Sequence, residues 1–148
     1  MSNLILLDSG PLGLVTNPNL SPEGIGCTNW MQSRLAAGDR IFIPEIVDYE
    51  IRRELLRANK RKGLRNLDGF MAVLDYLPLS TAAMRQASEF WAQARQRGIP
   101  ATDSKALDID MILVAQAAVL FSSNTIIATT NIRHLSQFST AKLWQEIK

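Results

Sequence analysis

Short apolar runs alternate with longer amphipathic stretches along the chain. Leu4–Leu7 is apolar at every position, which is typical of a strand buried on both faces, and similar short runs occur at Ile41–Ile43, Tyr76–Leu79 and Thr125–Ala128. Strands that alternate with helices favour an α/β fold with a mostly parallel central sheet. No repeat or linker interrupts residues 1–148, so the sequence predicts a single domain.

Apolar residues that recur every three or four positions predict helices between these strands. The predicted helices cover Gly24–Ala37, Pro44 to about Lys60, Leu64–Leu74, Thr81 (as the cap) to about Gly98, and Leu107–Phe121. The last of them is apolar almost all round, which predicts a buried helix. Ile99–Lys105 is predicted to be a loop, and Asp8–Pro11 to be a break after the first strand.

Composition narrows the chemistry that the chain can support. It has one cysteine, Cys27, so an internal disulfide and a cysteine-based zinc site are both excluded, and a reducing cytoplasm is the expected location. It also has one histidine, His134, so a metal site would consist mainly of carboxylates, which suit Mg²⁺ or Mn²⁺. No signal peptide and no apolar run of about 20 residues is present, so no membrane association is expected.

Several acidic residues stand where the elements are predicted to begin or end. Asp8 directly follows the first strand, where a turn or cap aspartate is the alternative interpretation. Glu50 borders the apolar stripe of its helix, whereas Glu54, one turn further on, is interpreted as a solvated partner of Arg53 or Arg57.

A second group of polar residues belongs to the last part of the chain. Asp108 and Asp110 open the most apolar helix, where the helix dipole also favours acids as simple caps. Asn131 and His134 follow the last predicted strand, and each alone is more often structural. Since ligands of parallel sheets gather beyond the carboxyl ends of the strands, these residues are expected to converge with Asp8. Converging carboxylates can hold one or two Mg²⁺ or Mn²⁺ ions, which activate water and clamp a phosphate.

Four segments resemble the PIN-domain family, especially VapC-type toxins of toxin–antitoxin pairs, in order and over nearly the whole chain. The segments are Leu6–Ser9, Ile46–Arg53, Asp110–Ala117 and Ala128–Leu135. The resemblance implies a three-layer α/β/α sandwich and Mg²⁺- or Mn²⁺-dependent cleavage of RNA. It also implies that the chain forms a homodimer and has a cognate antitoxin as a protein partner.

The resemblance further assigns residues. It implies that Asp8, Glu50 and Asp110 are the metal-binding catalytic acids. At the fourth acidic position of the family, this chain has Asn131 or His134, depending on the alignment. Asn131 can ligate or orient water through its carbonyl, and His134 can bind a metal or a phosphate. Asp108 is a substitute metal ligand in this interpretation.

A basic segment directly follows Glu50. Between Arg52 and Arg65 the chain places seven basic residues and a single acid, Glu54. Clustered positive charge beside an acidic pocket is expected for a protein that binds phosphodiesters, although a solvated helix C-terminus is the alternative. The predicted nucleic-acid contacts are Arg52, Arg53, Arg57, Lys60, Arg61 and Lys62.

Other functions remain as alternatives. A PIN-like domain that binds nucleic acid or a protein partner without cutting is kept open by the missing fourth acid. A phospho-acceptor receiver domain would need a lysine after a late strand, where Thr129–Asn131 offers none. A dinucleotide-binding enzyme is disfavoured because Asp8–Gly13 does not match the glycine-rich fingerprint, and Gly10 replaces the second acid of an Asp-x-Asp phosphatase.

Overall fold

One parallel sheet forms the centre of the molecule. The computed structural model describes residues 2–98, 104–133 and 135–148, leaving out the side chain of residue 104. Its strands are β1 (Leu4–Leu7), β2 (Arg40–Pro44), β3 (Asp75–Leu77), β4 (Thr125–Thr129) and β5 (Ala141–Leu143). They are ordered β3-β2-β1-β4-β5, and every neighbouring pair is parallel. This confirms the predicted α/β class with a central parallel sheet.

Helices connect and flank the strands. Within the described residues they are α1 (Ser9–Thr16), α2 (Pro22–Ala36), α3 (Glu45–Arg57), α4 (Arg61–Val73), α5 (Thr81–Gln96) and α6 (Ser104–Ala118). The central strands β1, β2 and β4 bury nearly all of their side chains, because helices cover the sheet. No helix in this part of the chain is long and apolar enough to cross a membrane.

The order of the strands determines where a ligand site can form. β1 pairs with β2 on one side and with β4 on the other, so the connections diverge between β1 and β4. In parallel sheets a crevice opens beyond the carboxyl ends of the strands at such a point. The residues that follow β1 and β4 are therefore placed side by side, although more than a hundred positions separate them in sequence.

Some predicted boundaries were wrong, and each has a local cause. The predicted break at Asp8–Pro11 is instead the start of α1, because the Asp8 carboxylate accepts the Ser9 N–H as a helix cap and proline is tolerated in a first turn. Ser80 rather than Thr81 caps α5 by accepting the Ala83 N–H. α6 begins at Ser104, before the predicted Leu107, while residues 99–103 of the predicted loop lie outside the described residues.

The start of α3 is held by a side chain from α6. Pro44 precedes this helix and has no side chain that could cap it. Gln116, fully buried in α6, instead accepts the Ile46 N–H at 3.2 Å and donates to the Leu77 carbonyl at 2.9 Å. One buried amide thereby satisfies backbone groups at the start of α3 and the end of β3, and it orients the helix that carries Glu50.

Candidate metal centre and nucleic-acid interface

Asp8 lies at the centre of the crevice and is almost fully buried. Its Oδ1 accepts the Ser9 N–H at 2.8 Å, and its Oδ2 accepts the Thr129 hydroxyl at 2.8 Å. The Thr129 hydroxyl also accepts the Asn131 N–H at 3.1 Å. These bonds join the residue after β1 to the residues that end β4, so the sheet itself positions the carboxylate.

Asp110 reaches the same place from α6. It is 1% exposed, and its Oδ1 accepts a hydrogen bond from Arg133 Nη2 at 2.9 Å. The same nitrogen of Arg133 lies 3.4 Å from Oδ2 of Asp8. Burial raises the pKa of Asp110 to about 7; the Arg133 charge opposes this rise, and the charges of Asp8 and Glu50 add to it. The buried carboxyl of Asp110 therefore changes its protonation state near neutral pH.

Glu50 is the third acid of the cluster, and α3 carries it. Burial and the nearby Asp8 carboxylate raise its pKa, while a hydrogen bond from Ser9 and the charges of Arg133 and Arg53 oppose the rise. Among the described residues, Glu50 Oε1 is buried without a hydrogen-bond partner. A buried carboxylate oxygen without a donor is costly and is available to a ligand.

We name Asp8, Glu50 and Asp110 the acidic cluster. Three carboxylates from separate segments form a donor set that suits a hard divalent cation, and the open oxygen of Glu50 fits that role. Within the described ranges, however, no three acidic, histidine or cysteine side chains are arranged closely enough to coordinate one ion directly. The Arg133 guanidinium instead joins two of the three carboxylates.

The other predicted site residues of this group lie elsewhere. Asp108 is exposed and lines a groove of about 350 Å³ with Met84 and Trp91, so the structure does not bring it to the acidic cluster. The physical reason is that residues two apart on a helix point to opposite sides. Asn131 is exposed, and its Oδ1 accepts the Arg133 N–H at 3.2 Å. His134 lies outside the described residues.

Two arginines of the basic segment already have acidic partners. Arg52 pairs with Asp48 at 3.0 Å and with Asp68 at 2.8 Å, in a network that also includes the Tyr76 hydroxyl. Arg57 pairs with Glu54 at 2.9 Å on the surface, which confirms the interpretation of Glu54 as a solvated partner. Arg52 is thus held in a structural network, whereas the Arg57 pair is exposed and weak.

Other residues of the basic segment project from the surface near the acidic cluster. Arg53 is exposed and lies over the Tyr49 ring, with its guanidinium carbon 5.1 Å from the ring centroid. A groove of about 380 Å³ is lined by residues that include Ser9, Glu50, Arg57 and Lys60. Arg57 and Lys60 thus line the same groove as Glu50.

The start of α4 carries positive charge where helices disfavour it. Lys60 is its N-cap residue, and Arg61 and Lys62 occupy the first turn, all exposed. The alternative of a solvated helix C-terminus suits Arg57, which ends α3, but not these residues, because the dipole of a helix repels cations at its N-terminus. Local helix stability therefore does not account for Arg61 and Lys62.

Two residues of the site give no sign of their role in the sequence. Arg133 belongs to a segment that resembles the family, but a single arginine in a loop does not indicate what it contacts. Thr129 follows an apolar run and by itself does not indicate a contact with Asp8. The alternation of side chains along β4 could have placed the Thr129 hydroxyl on the side of Asp8, but only once the pairing of β1 with β4 was known.

Comparison with known proteins identifies the fold. A VapBC2 structure from Rickettsia felis, bound to a promoter DNA fragment, superposes with a TM-score of 0.70 and 18% identity over 95% of this chain and 98% of that chain. DNA-bound VapBC from Salmonella typhimurium gives 0.70 and 18% over 97% and 99%. FitAcB from Neisseria gonorrhoeae gives 0.68 and 12% over 97% and 100%. No family model and no curated protein matches the sequence. The chain therefore shares the PIN-like fold of these proteins.

Proposed function

We propose that this chain is a PIN-domain endoribonuclease of the VapC type, in which Asp8, Glu50 and Asp110 bind Mg²⁺ or Mn²⁺. The observation that carries the proposal is the convergence of three carboxylates from three distant segments at the carboxyl edge of the sheet. Carboxylates that raise one another's pKa destabilise the folded chain unless a cation or a proton compensates them. A catalytic role explains why the fold retains this cost.

Each acid would have a distinct task. A bound divalent ion would supply an activated water and neutralise the charge of the scissile phosphate. Asp8 is oriented by Ser9 and Thr129, so it would be the most rigid of the ligands. Asp110 would bind in its ionised form, and Glu50 would contribute its open Oε1. Asn131 supports the turn that carries Arg133 rather than replacing the missing acid.

RNA would enter through the groove that joins Glu50 to Arg57 and Lys60. Phosphate contacts supply most of the affinity of such proteins for nucleic acid, and exposed Lys and Arg provide them. The basic first turn of α4 supports this path, because its charges are unfavourable for the helix alone yet useful to a polyanion. Arg53, whose charge acts on Glu50, would lie nearest to the cleavage site.

We also propose that the chain is the toxin of a toxin–antitoxin pair and forms a homodimer in the cytoplasm. The support is the likeness of its fold to the VapBC and FitAcB structures over nearly the full length of both chains. Co-expression with the product of the adjacent reading frame tests the first part. A stable complex that suppresses RNA cleavage is expected, and analytical ultracentrifugation of the chain alone should give twice the mass of 16.5 kDa.

The experiment that tests the enzymatic proposal is Mn²⁺-dependent cleavage of a panel of RNAs. Asp8→Asn, Glu50→Gln and Asp110→Asn should each reduce the rate by more than about 100-fold, since even indirect partners of metal ligands contribute roughly 10- to 100-fold. Asp108→Asn is the matched control. Asp108 lies on the same helix as Asp110 but lines a separate groove outside the acidic cluster, so the variant should retain the rate of the unmodified protein.

The outcome also separates the two candidate functions. Arg133 within the acidic cluster is the observation that favours a PIN-like domain that binds without cutting. If Mn²⁺ supports no cleavage and calorimetry detects no Mn²⁺ binding, the nuclease proposal is wrong and the non-cutting domain is favoured. Cleavage lost equally in Asp108→Asn and Asp110→Asn would place the ion somewhere other than the acidic cluster.

A further inference from the structure

Arg133 has no role in the proposed cleavage reaction, although it contacts two of the acids. Its Nη2 is 2.9 Å from Asp110 Oδ1 and 3.4 Å from Asp8 Oδ2, so a single nitrogen joins carboxylates from α6 and from the end of β1. Its charge also acts on Glu50. The side chain is 34% exposed, whereas both carboxylates are 4% exposed or less. The guanidinium therefore reaches from the surface into a buried anionic centre.

The backbone around Arg133 is arranged for this reach. Arg133 has a φ of 46°, in the left-handed region that residues other than Gly, Asn and Asp rarely adopt. Asn131 Oδ1 accepts the Arg133 N–H, and the Thr129 hydroxyl accepts the Asn131 N–H and donates to Asp8. The strained turn is thus bonded to the same carboxylate that the guanidinium contacts. Strain of this kind persists only where surrounding contacts maintain it.

The electrostatics of the cluster favour a cation at its centre when no metal ion is bound. Three carboxylates in close proximity repel one another, and burial strengthens that repulsion. A guanidinium is permanently charged and donates hydrogen bonds to two carboxylates at once. A divalent ion coordinated by the same oxygens would compete with the guanidinium, because both would occupy the space between Asp8 and Asp110 and their positive charges would repel.

We propose that Arg133 is an internal counter-ion that occupies the cation position of the acidic cluster, so that a divalent metal ion binds only by displacing it. This inference rests on the proposed function, because it takes the acidic cluster as the metal site. It accounts for two observations together: the acids converge, and yet the described residues contain no group arranged to coordinate an ion as they stand. The free energy of metal binding is then the difference between the interaction of the cluster with the metal ion and its interaction with the guanidinium.

Calorimetric titration of the metal-free protein with Mn²⁺, in the absence of RNA, tests the proposal. Arg133→Gln keeps a side chain of similar reach but removes the charge, so it should bind Mn²⁺ at least about tenfold more tightly than the unmodified protein. Arg40→Gln is the matched control, because this exposed arginine pairs with Asp75 at the start of β2 and β3, at the other end of the sheet from the acidic cluster. It should bind Mn²⁺ with unchanged affinity.

Thermal unfolding gives a second readout that does not depend on activity. Without metal, Arg133→Gln should melt at a lower temperature than the unmodified protein, because three carboxylates then lack their counter-ion. Saturating Mn²⁺ should stabilise the variant more than the unmodified protein. If the glutamine variant does not fold without metal, Arg133→Lys serves instead, since it keeps the charge on a shorter chain with one donor group and should bind Mn²⁺ with an intermediate affinity.

Two outcomes would overturn the inference, and they are distinguishable. Mn²⁺ binding with equal or weaker affinity in Arg133→Gln would show that the arginine does not compete with the ion, while the metal site itself would stand. No Mn²⁺ binding by either protein would overturn both this inference and the proposed metal-dependent activity.

Discussion

Single residues bring α1 into contact with the end of β4. Gly10 lies in the first turn of α1, where its backbone passes directly against the side chain of Thr130. Asp8, two positions earlier, is bonded to Thr129. The glycine is therefore needed for the close approach of the α1 backbone to the Thr130 side chain rather than for an unusual φ. This approach keeps the carboxylate of Asp8 at the position where the other acids meet it.

Gly10→Ala should destabilise the protein, because a Cβ at this position would overlap Thr130 and force the turn after β4 to move. The expected loss is about 1–3 kcal/mol in the free energy of unfolding, typical of overpacking in a tight contact. Urea unfolding measures it. Gly13→Ala is the control, since a Cβ there meets nothing and alanine favours the helix by up to about 1 kcal/mol. Equal effects of both substitutions would contradict the assignment.

Asp110→Asn should change the pH dependence of stability in the metal-free protein. The pKa of Asp110 is raised from 3.8 to about 7 in the folded state, so the folded chain binds an extra proton between these values. The free energy of unfolding therefore falls as the pH rises through this window, by roughly 1.4 kcal/mol for each unit of the rise in pKa. The asparagine variant lacks this loss.

The measurement compares thermal unfolding of Asp110→Asn and the unmodified protein in EDTA from about pH 5 to about pH 8. The stability of the variant relative to the unmodified protein should increase with pH. Asp108→Asn, which replaces an exposed carboxylate of the same helix, should change the stability by less than about 0.5 kcal/mol at every pH. A constant difference for Asp110→Asn would mean that this carboxyl titrates normally.

At the scale of elements, α3 and α4 divide two tasks. α3 begins with a backbone satisfied by Gln116 and carries Glu50 to the acidic cluster. Its last turn and the first turn of α4 then carry the basic residues along the surface. Acidic and basic residues are thus adjacent on one helix pair, so the near-neutral total charge of +2 conceals a local separation of charge.

The combined variant Arg57→Ala, Lys60→Ala and Arg61→Ala should weaken RNA binding and flatten its salt dependence. For single-stranded RNA, each phosphate contact contributes about 0.7 to the slope of log K against log salt, so loss of three contacts should reduce the slope by about 2. Fluorescence anisotropy at several salt concentrations measures both effects. Replacing Arg85, Lys142 and Lys148 by alanine removes the same charge elsewhere and should leave the slope unchanged. An unaltered slope in the first variant would exclude this surface.

At the scale of the whole molecule, the end of the chain is packed against α2. Trp144 follows β5, and its ring lies 5.8 Å from that of Trp30. The indole N–H of Trp30 donates to the carbonyl of Ile147 at 2.9 Å. Both tryptophans are buried, so the last residues contribute to the core rather than trailing from it. This contact joins the edge of the sheet beside β4 to the helix that follows α1.

Trp144→Ala should lower the free energy of unfolding by about 3–5 kcal/mol, as expected for a buried aromatic side chain. Trp144→Phe is the matched variant. It keeps the ring contact with Trp30 and removes an indole N–H that has no partner among the described residues, so its cost should stay below about 1.5 kcal/mol. Urea unfolding distinguishes them. A small loss in both variants would show that the chain end folds independently of the core.

The sequence by itself determined the class of fold, and it indicated the three acids as candidates for one site. Apolar runs such as Leu4–Leu7 and Thr125–Ala128 predict buried strands, because the spacing of apolar residues along the chain reflects which positions are buried. The position of Asp8 at the end of β1 was likewise visible, whereas Asp108 and Asp110, predicted to open their helix, lie in the middle of α6 because this helix begins at Ser104. These are local properties of the chain. The missed helix α1 shows their limit, since a capping aspartate and a turn aspartate have the same sequence context.

Only the tertiary structure decided which polar residues meet. Asp108 and Asp110 are equivalent in sequence, but the orientation of α6 directs one to an exposed groove and the other to the buried centre. Arg133 enters the acidic cluster because β4 pairs with β1 and a left-handed residue turns the loop back. Such contacts depend on the pairing of distant segments, which side-chain patterns along one segment do not encode.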